Sequence, residues 1–303
     1  MKNILVIGGS YFVGRVFTMV ALKEACHLTL INRGNYSMKD FGEVREIKCE
    51  RHDYDTISQL SLDKTYDAVV DFCAYERNDI SGLVKSLPCA FRQYIYVSTA
   101  EVSAQTQEVR DETSALEVKE PENQVDRYTY QKMLLEQELM DCASAHGFGY
   151  TILRPVFIYG PYDYAPRESW YVRNIVEGRP VYHPTDADAK FQMVYVKDVA
   201  RAILLVTGNP KSENQVYILS EPEVMTYDSH LELLRSVSDI PFQIQPVLVQ
   251  TVLEQNIPLP FPLRAEDNKL FSGEKIVREL GFQYSDPKQC MQLTYNAFKD
   301  VFA

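Results

Sequence analysis

Residues 4–14 read Ile4-Leu5-Val6-Ile7-Gly8-Gly9-Ser10-Tyr11-Phe12-Val13-Gly14. Four consecutive apolar residues predict a short strand buried on both faces, as in a parallel sheet. The glycines allow a tight turn and close backbone approach, and Arg15–Glu24 then has a helical pattern. A helix that starts after such a turn offers unpaired N–H groups and a partial positive charge, which suits a pyrophosphate. Moving outward, Leu28–Ile31, Val44–Cys49, Ala68–Phe72, Tyr94–Val97 and Thr151–Leu153 repeat the strand pattern. Helices are predicted over Ile80–Ser86 and Tyr128–Ala145. This alternation predicts an α/β fold, a doubly wound parallel (Rossmann) sheet with right-handed crossovers.

After Pro155 the texture changes, with Pro161, Pro166, Pro180 and Pro184 among many tyrosines and charges. The core pattern returns at Met193–Val196, in a helix from Asp198 to about Val206, and at Val216–Leu219, before the proline links Pro258, Pro260 and Pro262. The expected organisation is a dinucleotide-binding core from residues 1–155 and 191–220. A smaller C-terminal substrate lobe, residues 156–190 and 221–303, is expected to face the strand C-termini, where open α/β sheets bind ligands.

Composition narrows the function. A net charge of −11 over 303 residues argues against nucleic acid as a general partner, because phosphate neutralisation needs a basic face. No apolar run approaches the roughly 18 residues of a membrane span, and the start carries no signal-peptide pattern, so a cytoplasmic protein is expected. Six cysteines without a C-x-x-C pair fit a reducing compartment. The five histidines, 27, 52, 146, 183 and 230, form no H-x-x-x-H pair, so no metal site is expected. The absence of G-x-S-x-G excludes an α/β-hydrolase.

Two further stretches carry chemistry. The second strand ends Leu30-Ile31-Asn32-Arg33-Gly34, without the carboxylate that usually holds an NAD ribose. Asn32 and Arg33 therefore favour NADP, with NAD the alternative. Tyr128-Thr129-Tyr130-Gln131-Lys132 puts a phenol and an ammonium one helical turn apart, where the cation is expected to lower the phenol's pKa. Tyr284/Lys288 and Tyr295/Lys299 share the spacing, but Pro287 interrupts the first and the second lies on the last helix.

Gly8 and Gly14 fit a G-x-x-G-x-x-G spacing with Tyr11 at the middle glycine. Val97-Ser98-Thr99-Ala100-Glu101-Val102, Tyr128-x-x-x-Lys132, Leu153-Arg154-Pro155…Tyr159-Gly160-Pro161, Val194–Ala200 and Leu280-Gly281-Phe282 follow in order. Together they resemble the extended short-chain dehydrogenases/reductases, the NAD-dependent epimerase/dehydratase family, over nearly the whole chain. Gly8-Gly9-x-x-Phe12-x-Gly14 and Val70–Tyr75 are most similar to an atypical branch that includes chloroplast RNA-associated members.

The resemblance implies Tyr128 as acid/base, Lys132 on the nicotinamide ribose, and Thr99 on the reacting oxygen. It implies Gly8, Gly9, Tyr11, Phe12, Val13 and Gly14 around the dinucleotide. The substrate class it implies is a sugar nucleotide or related hydroxyl or ketone compound, and it allows a homodimer. Two departures stand out: Tyr11 replaces a phosphate-approach glycine, and Phe157 replaces an asparagine found near substrate phosphates. Glu101 is the candidate base for a dehydratase, but Ala100 supplies no acid beside it, so epimerisation or simple redox is expected over dehydration. The rival from another class is a non-catalytic, dinucleotide-binding regulatory or RNA-associated protein.

Overall fold

The computed structural model describes residues 1–117 and 121–303, apart from the side chain of Val125. Its elements run β1 (Asn3–Ile7), α1 (Phe12–Lys23), β2 (His27–Asn32), β3 (Arg45–Lys48), α2 (Tyr54–Ser58), β4 (Thr65–Asp71), α3 (Asp79–Ser86), β5 (Ala90–Val97), α4 (Gln124–His146) and β6 (Gly149–Pro155). Then come β7 (Phe157–Tyr159), α5 (Glu168–Val176), β8 (Val181–Pro184), β9 (Met193–Tyr195), α6 (Val196–Val206), β10 (Gln215–Leu219), α7 (Tyr227–Val237), β11 (Ile244–Val247), α8 (Val249–Glu254), α9 (Glu274–Leu280) and α10 (Pro287–Phe302).

Seven strands form the central sheet in the order β10-β6-β5-β4-β1-β2-β3, with every pairing parallel. The alternation along β1 shows why the sheet is covered on both sides. Ile4 and Val6 pack with Phe17 of α1 and Ile203 of α6, whereas Leu5 and Ile7 pack with Leu83 of α3 and Leu135 of α4. The apolar run that opens the chain is therefore the signature of a doubly covered strand.

The sheet reverses direction of growth at β1, flanked by β2 on one side and β4 on the other. That switch point leaves a crevice beyond the strand C-termini, bounded by the glycine turn after β1.

Two expectations need correction. Met193–Val196 does not rejoin the core sheet: β9 pairs in parallel with β7 in a separate two-stranded sheet, and only β10 returns as the seventh core strand. The helix carrying Tyr128 does not start there but at Gln124, one turn earlier. A further parallel pair, β8 with β11, joins the two chain segments that flank residues 191–220. Among the described residues no helix is long and apolar enough to cross a membrane.

Candidate active site

The glycine turn is built for close approach. Gly8 and Gly9 have φ of +95° and +80°, in the region that favours glycine, and a Cβ on Gly9 would lie 2.8 Å from Val6 Cγ1. A Cβ on Gly14 would lie 2.9 Å from the Gly9 backbone, so this glycine sets how closely α1 meets the turn. Tyr11 is extended at φ −137°, a conformation open to any residue, so the missing glycine costs nothing at that position, while Phe12 beside it has φ +36°. No side chain caps the start of α1 and no acid stands in its first turn, which leaves its N–H groups available to an anion.

The side chain of Tyr11 instead turns outward. Its ring stacks on Tyr36 (centroids 5.7 Å apart) and on Tyr164 (5.4 Å apart), so three tyrosines from three separate segments form one pile at the cleft. Phe12, behind it, meets Tyr164 edge-on at 5.7 Å.

At the end of β2, Asn32 is buried and its Oδ1 accepts from Gly34 N at 2.7 Å, while its Nδ2 has no partner. Arg33 is exposed and makes no ion pair among the described residues. Beyond β4, Asp71 is fully buried, accepts from Tyr94 Oη at 2.6 Å and pairs with the buried Arg51 at 3.1 Å. Arg51 also donates to Asp79 O at 2.7 Å. This charge network ties the segment after β3 to the end of β4 and the start of α3. Sequence reading missed the network: Asp71 lies in the Val70–Tyr75 stretch, but its partner Arg51 is 20 residues away and no local pattern links the two.

The chemical end is set by β5 and α4. Thr99 follows β5; its Oγ1 accepts from Glu101 N at 3.3 Å, leaving its own proton to donate. The Tyr128 hydroxyl has no protein partner among the described residues, and the residue lines the cleft. Lys132 is buried, donates to Ala74 O and Val97 O at 3.0 Å each, and lies 4.6 Å from the Tyr75 ring centroid. Burial lowers its pKa to about 8, and Asp71 opposes that shift.

Here the expected electrostatics are corrected. The Tyr128 phenol is not lowered but pushed up to about 12, first by burial and then by Tyr164; the cation that opposes this is Arg167. Lys132 lies 5.7 Å from the Tyr128 ring and directs its ammonium to two carbonyls instead. Glu101, the candidate base, is ion-paired with Lys269 at 2.5 Å, a partner 168 residues away that no local pattern indicates.

One cleft of about 780 Å³ brings these groups together: Gly8, Gly9, Tyr11, Phe12, Val13, Gly14, Asn32, Arg33, Thr99, Glu101, Tyr128 and Lys132 all line it. The residues fit a dinucleotide. The glycine cradle would be filled by any Cβ, and Asn32 Nδ2 and Ser98 Oγ are buried polar atoms without a partner among the described residues. Among the described residues, no group of three or more His, Cys, Asp or Glu could hold a metal ion.

Residues 83–220 match the model of the NAD dependent epimerase/dehydratase family. The chloroplast stem-loop binding protein of 41 kDa b from Arabidopsis thaliana is 31% identical over 240 residues, which are 75% of this chain and 61% of that protein. The chain thus spans about 61% of the length of the curated relative it matches. The fold matches UDP-glucose 4-epimerase of Thermotoga maritima with UDP-glucose at a TM-score of 0.76 and 19% identity, covering 99% of this chain and 100% of that one. UDP-glucuronic acid 4-epimerase of Bacillus cereus in complex with NAD matches at 0.76 and 16%, with 99% and 100% covered. UDP-glucose 4-epimerase of Thermus thermophilus in complex with NAD matches at 0.74 and 18%, with 98% and 99% covered.

Proposed function

We propose that this chain, a member of the NAD-dependent epimerase/dehydratase family, uses a nicotinamide dinucleotide to oxidise, reduce or epimerise a hydroxyl or ketone carbon of a sugar nucleotide or related substrate. One observation carries the reading: the glycine cradle and the Thr99, Tyr128 and Lys132 side chains open on a single cleft at the switch point of the sheet. The bound dinucleotide supplies the hydride acceptor and, when oxidised, a positive charge.

The chain's own groups do the rest. Thr99 donates a hydrogen bond to the reacting oxygen. Tyr128 takes that oxygen's proton and returns it, and Lys132, through the ammonium proton its two carbonyl partners leave free, holds a ribose hydroxyl. A phenol with a pKa near 12 is protonated at neutral pH but is a weak acid, and its phenolate is scarce, so proton transfer in either direction needs added positive charge near Tyr128. Glu101 is held by Lys269, and Ala100 supplies no acid, which favours epimerisation or simple redox over dehydration. Arg33, exposed and uncommitted at the end of β2, favours NADP, although the Bacillus and Thermus structures hold NAD. The stem-loop binding relative motivates a second reading, a dinucleotide-binding scaffold that engages RNA, for which Tyr128 would be dispensable.

The test is Tyr128→Phe. Turnover of the best sugar nucleotide should fall by about 10²–10⁴-fold, while dinucleotide affinity in a fluorescence titration stays unchanged. A variant that keeps more than about half the wild-type rate would remove Tyr128 from the chemistry.

A further inference from the structure

Lys132 is a buried cation without a counter-ion. Among the described residues no carboxylate pairs with its ammonium, which donates to carbonyls instead. The two acids that act on its charge are committed elsewhere: Asp71 to Arg51 and Tyr94, Glu136 to Arg154. A buried ammonium is costly unless other groups receive it. Two of its protons go to Ala74 O and Val97 O. Three tyrosine rings stand around it, with centroids 4.6 Å (Tyr75), 4.8 Å (Tyr96) and 5.7 Å (Tyr128) from Nζ. A ring face is electron-rich, and at such distances it attracts a cation, most strongly where water is excluded.

The three rings are not equivalent. Tyr96 is fully buried in β5, and Tyr128 shares α4 with Lys132 and is the farthest of the three. Tyr75 ends the Val70–Tyr75 stretch in the loop after β4, is 49% exposed and lines the cleft. Its backbone is fixed. Asp79 Oδ2 accepts from Tyr75 N at 2.8 Å and from Glu76 N at 3.0 Å, and Asp79 Oδ1 bonds His52 Nε2 at 2.7 Å. The residue before it supplies Ala74 O, which accepts from Lys132 and, at 3.3 Å, from Tyr96 Oη. One short loop therefore gives Lys132 both a carbonyl and a ring.

We propose that Tyr75 is a positioning residue that acts through Lys132: its ring closes an aromatic cage that houses the ammonium in place of a counter-ion. The inference rests on the oxidoreductase reading above, in which the caged ammonium holds a ribose hydroxyl. The charge is held by a narrow margin, because burial brings the Lys132 pKa down to about 8. The neighbouring groups do not share that titration. Cys73 and Tyr128 are pushed up to about 12 by burial, and burial also raises Tyr75 and Tyr96, so none of these four ionises near pH 8. Asp71 and Glu136 keep their arginine partners. Loss of one ring face then moves the titration of the ammonium itself.

The experiment follows isotope-labelled lysine Cε resonances of the full chain by NMR from pH 6 to pH 10, with Lys132 identified by the signal lost in Lys132→Arg. In the wild type its midpoint should lie near 8. Tyr75→Phe keeps the ring and should keep the midpoint. Tyr75→Leu and Tyr75→Met keep an apolar cover without the ring face and should lower the midpoint by about one pH unit, the size of a desolvated cation–π contact. At pH 8 the lysine of these two variants is then mostly neutral. Reduced dinucleotide should bind them about threefold weaker than the wild type at pH 8, and equally at pH 6, where the ammonium is charged in all.

An unchanged midpoint in Tyr75→Leu and Tyr75→Met would overturn the proposal. So would a midpoint that falls as far in Tyr75→Phe, because the hydroxyl rather than the ring face would then act on the ammonium. A loss of dinucleotide affinity that is the same at pH 6 and pH 8 would make Tyr75 a packing residue of the cleft wall and overturn its positioning role. Failure of the wild type to bind a nicotinamide dinucleotide would count against the oxidoreductase reading instead, while the lysine titration still decides the cage.

Discussion

Arg33 has no partner among the described residues, and a solvated cation at the cleft mouth is useful only when something anionic arrives. A ribose 2′-phosphate is such a group. Titration with the two reduced cofactors should show NADPH binding about tenfold tighter than NADH, the worth of a charged hydrogen bond, and Arg33→Ala should remove the difference. Tighter or equal NADH binding by the wild type would place Arg33 among ordinary surface residues. The sequence located each of these side chains but not its company. Tyr128 and Lys132 were readable because one helical turn relates them. The raised phenol was not, because the burial that raises it, and Tyr164 after that, come only with the folded chain. Glu101 reads in sequence as an available base and in space as half of an ion pair with Lys269.

Among the elements, the turn between β7 and α5 carries a measurable strain in its charge. Asp163 has an ordinary carboxyl value of 3.8 that folding raises to about 7, with burial the main cause. The folded chain therefore binds this proton more tightly than the unfolded chain, and stability from this group falls as pH rises from about 4 to about 7, then levels off. Three pH units at about 1.4 kcal/mol each set an upper bound of about 4 kcal/mol. Asp163→Asn, which keeps an acceptor for Ala165 N, should melt higher than the wild type at pH 8 and match it at pH 4. A difference between the two proteins that does not vary with pH would mean that folding does not raise the Asp163 pKa. Strand interiors were legible because β1, β4 and β5 are apolar on both faces, and a buried parallel strand has no other pattern. The fate of Met193–Tyr195 was not legible. Its residues are as apolar as those of a core strand, and nothing in their pattern marks β7 as their partner.

On the scale of the whole molecule, the sheet order places the turn after β1, the end of β2 and the loop after β4 around one crevice, and α4 brings its phenol and ammonium to the same place. Sequence order and the glycine turn anticipated this convergence. The pile of Tyr36, Tyr11 and Tyr164 was not anticipated, since stacked rings from three distant segments leave no periodicity to read. Each such pair contributes about 0.5–1.5 kcal/mol, so the pile links the glycine turn to the segment after β7 with an energy that thermal motion breaks only part of the time. Tyr11→Ala, at a backbone position that accepts any residue, should speed dinucleotide release in stopped-flow displacement by about fivefold or more. An unchanged off-rate would show that the rings merely cover the surface. If release is slow, the dinucleotide is a resident rather than a visitor. A chain that keeps its own coenzyme can lend a hydride and take it back within one turnover. Its output then follows the supply of substrate and is insulated from the surrounding ratio of oxidised to reduced cofactor.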